Sequence, residues 1–135
     1  MLGSIIRGQQ VNTARVFLVV GALLAALGVA MGAFGAHALR ASLSADRLAV
    51  YHTAVQYHLW HALGLLLIGV LIGQGAPSTL MSTSGWLMLA GIVAFSGSLY
   101  TLALTGTRWL GMVTPIGGLA FIAAWLTLVL AIVRR

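Results

Sequence analysis

The residues with the greatest capacity for chemistry are four histidines: His37, His52, His58 and His61. Imidazole titrates near neutral pH, relays protons and serves as an axial ligand to haem. Arg47, Tyr51, Ala54, His58 and His61 follow one another at spacings of 4, 3, 4 and 3, which places them on one helix face. Three chemistries compete for that face. Neutral imidazoles hydrogen-bonded to neighbouring helices would lock a bundle, at ~0.6–2 kcal/mol per bond in a membrane. His58 and His61, with His37 opposite, would ligate haem or a metal. Two histidines at i and i+3 on one helix do not form an axial pair, however, and no carboxylate is available to orient them. A proton or solute path would use the same face, but coupled transport ordinarily needs an intramembrane carboxylate, and the chain's single acid, Asp46, falls at a helix end. The packing role is favoured. No cofactor is expected, with haem as the alternative. There is no cysteine, so thiolate metal sites, disulfides and cysteine nucleophiles are excluded. Ser96 and Ser98 have no base on their helix and no acid placed to complete a triad, so hydrolase chemistry has no support.

The elements that hold these residues follow from composition. Of 135 residues, 61% are hydrophobic and 6% charged, with a mean hydropathy of +1.07. A soluble domain is typically ~45–50% apolar and ~25% charged. One soluble core of this size cannot hide so much apolar surface. The pI near 11.6 reflects scarce acids rather than a basic patch: all seven basic residues are arginines, scattered at the edges of apolar runs, and nucleic acid is excluded as a partner. A membrane helix needs ~20 apolar residues to cross ~30 Å of hydrocarbon. Residues 16–39, 48–107 and 109–133 are free of charge, and the long middle run is divided by the Gly/Pro segment 74–79. The fold class is therefore an all-α membrane protein, a four-helix transmembrane bundle. Its helices are expected at about 14–38, 45–73, 84–105 and 113–134, behind a polar leader over 1–13. The first run also has a signal-peptide look: Ala36-His37-Ala38 imitates a cleavage site, but the apolar stretch exceeds the usual ~7–15 residues, so retention is expected. Four spans put both termini on one side. Arg7, Arg15, Arg134 and Arg135 there against Arg40, Arg47 and Arg108 opposite favour cytoplasmic termini.

Local signals refine the spans. Ser44 is placed to cap the second helix, with Asp46 in its first turn. Thr114 as cap and Pro115 at the first helical position would open the fourth, unless that helix begins near Trp109 and Pro115 kinks it. Gly28, Gly32 and Ala36 form a ladder of small residues on the first helix, suited to close helix approach. That seam serves packing within the bundle or, alternatively, a homo-oligomer interface. Trp86 and Trp109 fit interfacial belts, while Trp60 and Trp125 fall deeper and are expected to pack.

Four ordered motifs carry a resemblance that spans roughly residues 14–134. They are Gly32-Ala33-Phe34-Gly35-Ala36-His37; Tyr57 with His61; Phe95-Ser96-Gly97-Ser98-Leu99-Tyr100; and Thr114-Pro115-Ile116-Gly117-Gly118. In this order they resemble the YgdD-like family of small bacterial membrane proteins, which includes the eukaryotic transmembrane-protein-256 type. The resemblance implies a multi-pass protein of the bacterial inner membrane and supplies no activity. It singles out His37, Tyr57, His61, Ser96, Ser98, Tyr100, Thr114, Pro115, Gly117 and Gly118, with His37, His61 and Tyr100 foremost. His58 stands where the family can have Gln, which weakens a His58–His61 metal pair. The expectation is a structural or accessory subunit in the lipid bilayer, as a homo-oligomer or within a larger membrane complex. The alternative is cofactor binding or transport through His37 and His61.

Overall fold

The computed structural model describes residues 2–75 and 79–134. Helix α1 covers Leu2–Phe34 and runs on through a π-helical turn, Gly35–Leu39. Helix α2 is Ala45–Gly73. Helices α3 (Thr79–Gly91) and α4 (Gly97–Thr105) are joined by a second π turn, Ile92–Ser96, into one continuous rod. A 3-10 turn, Arg108–Met112, leads into α5, Thr114–Val133. Among the described residues, four segments are long and apolar enough to cross a membrane: Val11–Leu39, Ala45–Gly73, Thr79–Thr105 and Arg108–Val133. The protein is a four-span, all-helical membrane protein.

Several boundaries differ from the sequence expectation. Residues 2–13 of the expected polar leader are part of α1. They enter the span unbroken, because they contain no proline and a formed membrane helix propagates outward at little cost. The third span starts at Thr79 rather than 84. Its first turn is held by Thr83, whose hydroxyl donates to the Thr79 carbonyl at 2.8 Å, and Met81 is fully buried. The middle of the expected 74–79 turn, residues 76–78, lies outside the described residues, as does Arg135. Thr114 is not the cap of α5; Val113 occupies that position. The 3-10 turn already delivers Val113 with its carbonyl free to accept from Ile116 and Gly117. Pro115 falls in the first turn, where its missing N–H costs nothing, so it opens the helix rather than kinking it. Ser44 does cap α2, its hydroxyl accepting from the Arg47 amide at 3.4 Å with Asp46 in the first turn. Gly106, at φ +75°, terminates α4 in the left-handed conformation.

Helix α2 is the hub. Helix α1 lies antiparallel along it, the α3–α4 rod packs on its other side, and α5 packs chiefly against that rod. Two apolar clusters form the core. One joins Phe17, Leu65, Ile68, Met81, Met88 and Leu128; the other joins Leu39, Tyr51, Val55 and Ala103. His58 and His61 fall between these clusters along α2. The outer faces carry aliphatic side chains such as Leu23, Val93, Ile116 and Leu119, each about two-thirds exposed, as lipid contact requires. Trp60, expected to pack, is instead more than half exposed on this surface.

Candidate functional site

The face of α2 carrying Arg47, Tyr51, Ala54, His58 and His61 points into the bundle: the last four are buried and Arg47 is partly so. From its outer end inward, this face makes one polar contact after another with the surrounding helices. Arg47 Nε donates to the Ala103 carbonyl at 2.7 Å. The Tyr51 hydroxyl donates to the Met31 carbonyl on α1 at 2.8 Å. The Ala54 carbonyl accepts from Ser96 Oγ, at 2.9 Å. His58 Nδ1 meets the Tyr100 hydroxyl at 3.1 Å, and the direction of that bond depends on the imidazole tautomer. His61 Nδ1 donates back to its own helix, to the Tyr57 carbonyl at 2.7 Å. Its ring lies flat on Phe121, with centroids 3.4 Å apart and planes at 14°. Tyr57 and Phe95 complete this aromatic layer, 4.5 Å between centroids.

The π turns explain where two of the four motifs fall. In a π turn one extra residue is accommodated per turn, which rotates the helix beyond it. The turn Gly35–Leu39 takes up the second half of the first motif. The small-residue seam runs through Gly28 and Gly32 and then Gly35, not Ala36, since a repeat of ~3.6 residues already puts position 35 nearer than 36 to the face of Gly28 and Gly32. Gly28 and Gly32 face Leu59 and Val55 of α2. Gly35 is buried against Tyr51, where a Cβ would lie 2.6 Å from the ring, whereas Ala36 is exposed. The seam thus faces α2 within the same chain. The second π turn, Ile92–Ser96, presents Ser96 to α2. Beyond it Ser98 turns toward α5, where its hydroxyl lies 2.8 Å from that of Thr114. Gly117 crosses this turn so closely that a Cβ would stand 2.7 Å from Phe95 Cα, while Gly118 has ordinary room. Pro115 is exposed and serves the helix start alone.

The structure does not bring His37 and His61 together. His37 is exposed at the end of α1, on the turn that packs at Tyr51. His61 lies ten positions further along α2, roughly 15 Å along its axis. His58 and His61 have different Nδ1 partners, Tyr100 and the Tyr57 carbonyl. Among the described residues, no group of three or more His, Cys, Asp or Glu is arranged to hold a metal ion. One buried nitrogen has no hydrogen-bond partner among the described residues, His58 Nε2.

Tyr51 and Arg47 are polar contributors that the 4-3-4-3 periodicity points to and the family motifs do not. Ser84, which donates to the Ala124 carbonyl at 2.7 Å and ties α3 to α5, carries no sequence signal beyond being a hydroxyl in an apolar span.

Comparison with known proteins places these features in a family. Residues 31–118, the stretch that holds all four motifs, match the family model described as "Protein of unknown function (DUF423)". The UPF0382 membrane protein YwdK of Bacillus subtilis is 48% identical over 120 residues, covering 89% of this chain and 98% of that protein. A UPF0382 membrane protein of Staphylococcus saprophyticus is 51% identical over 116 residues, covering 86% of this chain and 95% of its own length. One from Staphylococcus haemolyticus is 49% identical over 117 residues, 87% of this chain and 94% of that protein. No solved structure matches. The chain belongs to the DUF423 family, whose bacterial relatives are UPF0382 membrane proteins.

Proposed function

We propose that the protein is a structural or accessory subunit of a larger assembly in the bacterial plasma membrane, with no chemistry of its own. The observation that carries this reading is the use made of the intramembrane polar groups. Arg47, Tyr51, His58, Ser84, Ser96, Ser98, Tyr100 and Thr114 are engaged across helix boundaries, and His61 is bonded within its helix and stacked. An ionisable group within a membrane helix is a functional candidate by default, because its burial is costly. Here that cost is met by partners inside the bundle, which makes the polar face a lock for the fold. The YgdD-like kinship rests on the four motifs and would extend the same role to that group. We place both termini in the cytoplasm, on the arginine balance.

Gentle extraction from native membranes, native electrophoresis and mass spectrometry of the resulting band test the role. A band holding this chain and another polypeptide at fixed stoichiometry supports it; a homo-oligomer or monomer overturns it. Because the chain lacks cysteine, single cysteines introduced at 12 and 37 report topology with an impermeant maleimide. Labelling of intact cells at 37 and not at 12 fits cytoplasmic termini, and the reverse contradicts them.

A second reading is favoured by one atom. His58 Nε2 is buried and makes no hydrogen bond of ordinary geometry, although the Leu24 backbone of α1 lies close to the ring, so a small polar group could compete for this nitrogen. It shifts the cofactor or solute alternative from His37 and His61 to His58. A Soret band or bound metal lost in His58→Gln would establish it.

A further inference from the structure

A cleft of about 310 Å³ opens where the start of α2 meets the corner between α4 and the last span. Its polar wall is formed by Asp46, Arg47 and Arg108, and its floor by Val50 and Leu102. Arg47 is held in place by the bond from Nε to the Ala103 carbonyl, which leaves both terminal guanidinium nitrogens uncommitted. Nη2 lies near Gly106, where even an added Cβ would stay 3.9 Å away. Arg108 is exposed across the cleft, followed by Trp109, also exposed. Among the described residues neither arginine forms an ion pair, and the chain's single acid, Asp46, leaves the cleft with a net charge of +1.

We propose that this cleft binds the phosphodiester of an anionic glycerophospholipid headgroup. A fixed guanidinium offers two parallel N–H donors, the fork that phosphate oxygens accept. The first turn of one span and the first residue of another place the arginines at the boundary between hydrocarbon and water, with an aromatic ring at the same level. The apolar floor gives the glycerol and upper acyl chain a surface to follow. A net charge of +1 matches a headgroup with one negative charge, and Asp46 disfavours higher charge.

The test is native mass spectrometry of the full chain in mild detergent, offered phosphatidylglycerol, phosphatidylcholine or inorganic phosphate. Wild type is expected to retain one phosphatidylglycerol in preference to phosphatidylcholine. Arg108→Gln should lower that retention about fivefold, the worth of one arginine near a lipid surface. Its melting temperature should not change, since Arg108 makes no side-chain hydrogen bond among the described residues. Asp46→Asn should raise retention, an increase that a misfolded variant would not produce. Equal retention by Arg108→Gln, equal retention of phosphatidylcholine, a loss in Asp46→Asn, or displacement of the lipid by equimolar inorganic phosphate would each overturn the proposal.

Discussion

Replacing Tyr100 by Phe removes a single oxygen from the centre of the bundle and tests the logic of the polar face. The Phe ring keeps its packing against Tyr51, whose centroid lies 5.2 Å away, so shape is conserved. What is lost is the 3.1 Å contact with His58 Nδ1. Interhelical hydrogen bonds in membranes contribute about 0.6 kcal/mol on average and up to about 1.7. His58 is 2% exposed, so this variant leaves its Nδ1 buried without a partner. That adds about 1 kcal/mol. The expected destabilisation is about 2 kcal/mol, near thirtyfold in the folding equilibrium. Unfolding in mixed micelles with rising SDS, followed by tryptophan fluorescence, measures it. The double variant His58→Leu/Tyr100→Phe removes both partners and should recover most of the loss, because two apolar groups leave nothing buried and unpaired. A Tyr100→Phe variant within about 0.3 kcal/mol of wild type, or a double variant whose loss is the sum of the singles, would refute this reasoning.

The close helix approaches give further expectations. Gly117→Ala should destabilise by about 1–3 kcal/mol because its Cβ meets Phe95 backbone, whereas Gly97→Ala, with open space around it, should be neutral or stabilising by about 0.5 kcal/mol; thermal melts in detergent separate the two. Gly35→Leu should abolish folded protein in size-exclusion profiles, while Ala36→Leu should be tolerated, since only Gly35 faces the Tyr51 ring. His61→Ala should cost about 2 kcal/mol in the same SDS titration, through the cavity left beneath Phe121.

Arginine spacing and hydropathy make the spans legible because a charge in hydrocarbon is costly, and the Gly/Pro segment 74–79 marks the one boundary that no arginine does. Finer features depend on tertiary contacts. The leader continues α1 because a membrane helix, once formed, extends into a polar sequence that would not be helical alone. The seam passes through Gly35 rather than Ala36 because a strict i+4 ladder drifts off one helix face, whereas the ~3.6-residue repeat keeps position 35 closer to it. His58 is the instructive case. A departure from the family pattern lowers its standing as a ligand candidate. In the bundle it is nevertheless the more buried of the two core histidines and the one that reaches Tyr100. Its 4-3-4-3 periodicity with Arg47 and Tyr51 was the better guide, since periodicity reports which face is inward whether or not a motif contains the residue.

The central claim is that this bundle contributes structure to an assembly rather than chemistry to a substrate. Native mass spectrometry on vesicles ejected directly from bacterial membranes tests it without detergent exchange. The account predicts a complex in which this chain appears with another polypeptide at fixed stoichiometry and without a non-lipid adduct. This chain alone, carrying a small-molecule or metal mass that disappears in His58→Gln, would contradict it.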